Sequence, residues 1–293
     1  MKKVFIAGCG YIGTRVAHIW KGHGAEVTCL VRSPEHRAAL ESEGFITRSC
    51  SFDDLTTIPL LNVAGSILYY FVPPPGGGTA DSRARHFCTM LSTSAPPTMV
   101  IYMSATSVYS EKTGRTVSEL SATVPLAAMG KRRLDAEAAF REYGAANNIP
   151  AIILRVSGIY GPGRLPLMQI SQAQPLLREE ESGPSNRIHA DDLAHICYAA
   201  AEHGRDGDIF NVSDGHPSSM TTYFNACADA LGYPRQPQVT LEEAGQVMSP
   251  LMFSYVSESR VVDSSRMLEQ LGVQLQYPTI AEGLAASVET RLA

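Results

Sequence analysis

Gly8, Gly10 and Gly13 fall in the spacing G-x-G-x-x-G within "IAGCGYIGTRVA", between a short apolar run and a helical pattern. That arrangement can hold a diphosphate. The first glycine permits a tight turn, the second lets backbone amides approach the anion, and the third lets strand and helix pack closely while the helix N-terminus faces the charge. The spacing alone is weak; its place after the first strand of an alternating strand and helix pattern points to a dinucleotide. Tyr11 and Ile12 lie inside the same turn and are expected to touch that ligand. The plain alternative is a glycine-rich turn with no ligand.

The end of the second strand-like run is where a carboxylate accepts hydrogen bonds from an adenosine ribose and repels a 2′-phosphate. Here the residues are Val31, Arg32 and Ser33. With no carboxylate among them and a guanidinium suited to bidentate phosphate contact, NADP(H) is favoured over NAD(H). An arginine that merely sits in solvent reads the same way.

The chain that must position these residues has 293 of them, 44% apolar, with a formal charge of −5. It can bury a large core, as one domain or two unequal ones. The charge balance and the lack of basic runs argue against a nucleic-acid surface, leaving a small molecule as the expected partner. No stretch approaches the roughly 18 apolar residues of a membrane span, and "MKKVFIAGCGYIG" lacks a signal-peptide pattern, so a cytoplasmic location is expected. Six cysteines are scattered without Cys-x-x-Cys or Cys/His ligand spacing, which reads as buried thiols and gives no metal site.

Strand-like runs at 3–8, 25–31, 66–72, 99–104 and 151–161 alternate with helical patterns, and "GFITR" adds another strand. Ser33 followed by Pro34 and Glu35 predicts a capped helix start that Gly44 ends. Near-continuous apolar strands alternating with helices predict an α/β fold, a Rossmann-like doubly wound parallel sheet covered on both faces. The expected organisation is a dinucleotide-binding domain over 1–163, with 187–215 returning to it, and a smaller, mostly helical substrate domain over 164–293 that opens one helix with a Thr240/Glu243 capping box.

Beyond the glycine turn, "IYMSATSVYS" (101–110), "LRVSGIYGPG" (154–163), "RIHADDLAHICYAA" (187–200), "FNVSDG" (210–215) and "SSRMLEQLGVQLQYPTIAEGLAAS" occur in one order. In these segments the chain resembles the extended short-chain dehydrogenase/reductases, the NAD-dependent epimerase/dehydratase group, over nearly its whole length. The resemblance implies an oxidoreductase or epimerase acting on an alcohol or carbonyl of a sugar-like substrate. It also implies a general acid/base tyrosine, a lysine four residues later that lowers its pKa and holds ribose, and a Ser or Thr on the reacting oxygen.

Carried onto this sequence, those three positions are Met129, Arg133 and Ala105. None of the twelve tyrosines has a lysine four residues on, and the nearest pair, Tyr109 and Lys112, is three apart. Methionine cannot move a proton; Arg133 stays charged but can still hydrogen-bond ribose or phosphate. Ser104, Thr106 and Tyr109 are the nearest substitutes, although strand alternation turns Ser104 and Thr106 away from Ala105 if the strand extends that far.

Tyr160, with the Gly-Pro-Gly run after it, is expected to meet substrate, and Arg164 and Arg260 to meet an anionic one; a good turn and exposed arginines are the ordinary readings. Asp191 is expected to cap helix 192–203 rather than work with His189. The Pro73–Gly78 loop is expected at the cofactor edge of the sheet, and Asp53 is a doubtful adenine contact because Ser51 stands nearest the family position. Two functions follow. One is an enzyme of this family with a rebuilt acid/base; the other is a non-catalytic NADP(H) sensor acting through a protein partner. Helices around 81–91 and 128–142 are where relatives pair as homodimers.

Overall fold

The computed structural model describes residues 1–53, 61–249, 252–253, 256 and 259–292. Seven strands form the main sheet: β1 (Lys3–Ala7), β2 (Glu26–Val31), β3 (Ile46–Ser49), β4 (Ser66–Tyr70), β5 (Met99–Ala105), β6 (Ala151–Val156) and β7 (Ile209–Val212). Their spatial order is β7-β6-β5-β4-β1-β2-β3, and every neighbouring pair is parallel. The order reverses between β1 and β4, which is where such a sheet opens a crevice beyond its C-terminal strand ends.

Four helices interleave with the first strands: α1 (Tyr11–Gly22), α2 (Pro34–Ser42), α3 (Ser82–Leu91) and α4 (Ala128–Asn147); α5 (Ala190–His203) follows β6. Apolar residues of α1 and α5, among them Val16, Trp20, Ile196 and Cys197, bury one sheet face, while Phe87 of α3 and Phe140 of α4 bury the other. The indole N–H of Trp20 donates to Tyr69 Oη (2.9 Å), whose hydroxyl donates to the Cys197 carbonyl (3.1 Å), so both polar tips are satisfied in the dry layer. A smaller core gathers Tyr160, Tyr223, Phe224 and Leu284 beside the sheet. All six cysteines are buried. Among the described residues, no helix is long and apolar enough to cross a membrane.

Several local expectations hold in detail. Ser33 accepts the His36 amide and Pro34 stands in the first turn of α2. The Thr240/Glu243 capping box is formed. Helix α4 runs further than its sequence pattern, to a left-handed Asn148 with φ 54°. Two expectations are corrected. The run 151–161 is not one strand: β6 ends at Val156, and Gly158–Tyr160 pairs instead with Arg187–His189, outside the main sheet. The cap of α5 is His189, whose Nδ1 accepts the Asp191 amide, and not Asp191. Asp191 instead accepts Arg15 Nε at 2.7 Å and ties α5 to α1.

Candidate functional site

A cleft of about 540 Å³ runs along the C-terminal strand ends, from Arg32 and Ser33 beyond β2, over the Gly8–Gly13 turn, past Phe71 and Val72, to Met103 of β5 and Arg133 of α4. Its size falls within the range of roughly 300–1,000 Å³ usual for small-molecule sites.

The glycine turn is shaped by close approach. Gly8 has φ +84°, and a Cβ there would lie 2.9 Å from the Val72 amide nitrogen. Its amide and that of Cys9 both donate to the Leu30 carbonyl, which locks the turn onto β2. Gly10 caps α1 with no side chain, and a Cβ on it would meet nothing within 4 Å. The space before the first turn of α1 is therefore open to the cleft, and the amide groups that begin the helix fit a diphosphate. His36, which sequence reasoning missed, places Nε2 2.9 Å from the Cys9 carbonyl and 3.2 Å from Thr14 Oγ1. A carbonyl only accepts, so Nε2 carries the hydrogen and α2 is fastened to the turn.

Tyr11, at the start of α1, donates its hydroxyl to the Pro162 carbonyl at 2.9 Å. Its ring carries Arg15 on one side at 4.1 Å and Arg164 at 5.2 Å. Arg164 is thereby brought to the cleft, together with Ile159. Asp53 and Phe52 also line the cleft, with Asp53 paired to Arg83 at 2.7 Å. The 73–78 loop follows β4 and is strapped at both ends, Pro73 by Arg83 and Gly77 and Gly78 by Arg132.

At the other end, α4 abuts the backbone beyond β5 because Gly130 has no Cβ: one there would lie 2.2 Å from the Ser107 carbonyl oxygen. That contact aims Arg133 across the strand end, where Nη1 donates to the Met103 carbonyl at 2.8 Å and to Tyr102 Oη at 3.4 Å. Met129 sits on the first turn of α4, 37% exposed, and is not among the cleft-lining residues. Strand β5 does extend through Ala105, so Ser104 points the opposite way.

Ser104, Thr106 and Tyr109, whose hydroxyls the sequence offers as substitutes, are not among the residues that line the cleft. Ser104 is buried and donates to Glu137 Oε1 at 2.6 Å. Tyr109 is buried, donating to Asn211 Oδ1 at 2.6 Å and accepting Arg155 Nη1 at 3.1 Å; burial raises its pKa above the ordinary phenol value. Thr106 opens a single 3₁₀ turn, and its carbonyl accepts Arg260 Nη1. Arg260 is itself buried, with Nε on the Glu111 carbonyl, and so ties down the 106–111 loop; it is not among the residues that line the cleft. Tyr160 is 1% exposed in the smaller core, with its hydroxyl on the Thr279 carbonyl, and does not meet the cleft. These side chains misled because type and spacing do not fix direction. Arg83 and His36 were findable only as polar residues in the first turns of the helices that flank the strand ends.

The model of the NAD dependent epimerase/dehydratase family matches residues 4–213. Protein YeeZ of Escherichia coli (strain K12) is 26% identical, covering 95% of this chain and 97% of YeeZ. A functionally unknown conserved protein from Silicibacter pomeroyi has the same fold, with a TM-score of 0.83 and 26% identity over 99% of both chains. The UDP-glucuronic acid 4-epimerase from Bacillus cereus, solved in complex with NAD, superposes with a TM-score of 0.76 at 19% identity, covering 98% of this chain and 97% of the epimerase. The match over residues 4–213, together with the sheet order, makes this chain a member of the NAD dependent epimerase/dehydratase family.

Proposed function

We propose that this chain holds NADP(H) along the cleft and exchanges hydride with an alcohol or carbonyl carbon of a sugar-like small molecule, with solvent as the proton partner. Bound nicotinamide would supply or accept the hydride. The amides that open α1 would take the diphosphate, and Arg32, exposed at the β2 end, would take a 2′-phosphate, which Ser33 would join by turning its hydroxyl hydrogen from Glu35. Arg133 would fix the ribose or the reacting oxygen and favour negative charge developing there.

The observation that carries the reading is the contrast between the two ends of one cleft. The glycine turn is intact, while the Met103, Ile159 and Arg133 end brings no carboxyl or imidazole among its described lining, and the phenol beside Ile159, Tyr11, donates its hydrogen to the Pro162 carbonyl at 2.9 Å. Loss of a positioned acid/base typically costs about 10² to 10⁴ in rate, which leaves slow turnover. A second reading, a non-catalytic NADP(H) sensor acting on a protein partner, draws on the Ser104 and Tyr109 hydroxyls, which are tied into the core. NADPH oxidation assayed against a panel of sugar carbonyls separates the two. Turnover above the protein-free rate supports the first; no turnover, with different affinities for NADPH and NADP⁺, supports the second. No turnover and equal affinities contradict both.

A further inference from the structure

Three buried polar atoms behind the Arg133 end of the cleft have no hydrogen-bond partner among the described residues: Arg133 Nε, Asp81 Oδ2 and Tyr70 Oη. Asp81 and Tyr70 are both 0% exposed. The three side chains are neighbours: Asp81 acts on the charge of Tyr70, and Arg133 on that of Asp81. The Tyr70 and Tyr102 rings lie 6.1 Å apart, tilted by 46°, Tyr102 Oη accepts Arg133, and the Asp81 amide donates to Asp135, two residues beyond Arg133 on α4. Asp81 caps α3 through Oδ1 alone, on the Ala84 amide at 3.0 Å. Its second oxygen is left for something else.

Leaving a buried polar atom unpaired costs about 1–3 kcal/mol, so three together in one place call for a shared partner. Their chemistry names it. Arg133 Nε–H and Tyr70 O–H donate, and Asp81 Oδ2 accepts; one water accepts two hydrogen bonds and donates the third. We infer that Asp81, with Tyr70 and one bound water, is a positioning residue that holds Arg133 in the cleft for the reacting half of the dinucleotide. Burial raises the Asp81 carboxyl pKa, Asp135 adds to the rise, and the Ala84 amide, Arg133 and Arg83 oppose it.

This inference rests on the proposed NADP(H) reading. Its test is calorimetric titration of NADPH and of adenosine 2′,5′-bisphosphate, a fragment that reaches the Arg32 end but not Arg133. Asp81→Asn keeps the helix cap, because asparagine caps as well as aspartate, but replaces the free acceptor with a donor. The expected result is NADPH affinity lowered by about tenfold, within the range of couplings between contacting groups, with bisphosphate affinity unchanged. Tyr70→Phe lowers NADPH affinity in the same direction by less. In an Arg133→Met background, Asp81→Asn has no further effect. An unchanged NADPH affinity in Asp81→Asn, or an equal loss with Arg133 removed, overturns the inference while leaving the cofactor reading standing. No NADPH binding by the unaltered protein overturns the cofactor reading and the inference with it.

Discussion

Ser104 donates its hydroxyl hydrogen to Oε1 of Glu137 at 2.6 Å, beneath α4 and away from the cleft. Glu137 in turn takes Arg155 bidentately, Nε on Oε1 at 3.0 Å and Nη2 on Oε2 at 2.9 Å, with the carboxylate fully buried and the arginine 3% exposed. Burial works against the Arg155 charge, yet the bonds to Glu137 raise its pKa overall.

Glu137→Ala leaves Arg155 buried and uncompensated. The expected loss is about 3–5 kcal/mol of stability, read by urea unfolding. Ser104→Ala removes one neutral donor and is expected to cost about 1–2 kcal/mol while leaving NADPH affinity and any turnover unchanged. A fall in turnover without a fall in stability would return Ser104 to the active site.

Gly8 and Gly10 separate folding from binding. Gly8→Ala forces a Cβ against the Val72 backbone at a positive φ, so it is expected to lower the unfolding midpoint, with a cost of about 1–3 kcal/mol. A Cβ on Gly10 meets no protein atom within 4 Å but enters the space before α1. Gly10→Ala is therefore expected to unfold at nearly the same temperature yet bind NADPH at least about tenfold more weakly, a loss of ~1.4 kcal/mol. Unchanged affinity in Gly10→Ala would remove the diphosphate from this turn.

Much of this architecture was legible because it rests on periodicity and backbone rules. The glycine turn, the alternating strands and the Ser33 cap each depend on neighbours a few residues away. What the sequence hid were directions set by distant partners. Tyr160 fills the smaller core instead of the cleft, Arg260 binds the carbonyls of Thr106 and Glu111, and His189 displaces Asp191 as a cap because Arg15 claims that carboxylate. Arg164 lies at the cleft, and its contact with the Tyr11 ring could not be foreseen from residues 153 positions apart.

Arg32 sets the cofactor preference if it meets a 2′-phosphate. Charge-assisted hydrogen bonds contribute about 1.5–3 kcal/mol, so Arg32→Ala is expected to weaken NADPH roughly 10- to 100-fold and NADH by less than about threefold. Equal losses for the two cofactors would show that Arg32 does not read the phosphate.

Asp214 gives a pH signature. Burial pushes its carboxyl up to about 6 from an ordinary value of 3.8, against the His216 amide bond that lowers it. A raised carboxyl pKa means that the folded chain keeps this proton to higher pH than the unfolded chain does. Its contribution is therefore most favourable below about 4 and is lost as pH rises through about 6. Asp214→Asn keeps the side-chain acceptor for His216 and is expected to raise stability at pH 7 by about 1–3 kcal/mol relative to the unaltered protein, with the difference shrinking toward pH 4. Chemical denaturation at pH 4, 5, 6 and 7 reads it, and a gap that does not change with pH would contradict the assignment.

The central claim is that a dinucleotide phosphate lies on the amides opening α1 with its 2′-phosphate toward Arg32. Isothermal titration of the unaltered protein with NADPH and NADH tests it most directly. Binding of both, tighter for NADPH and weakened by salt, is the predicted result; heat changes indistinguishable from dilution for both would contradict it.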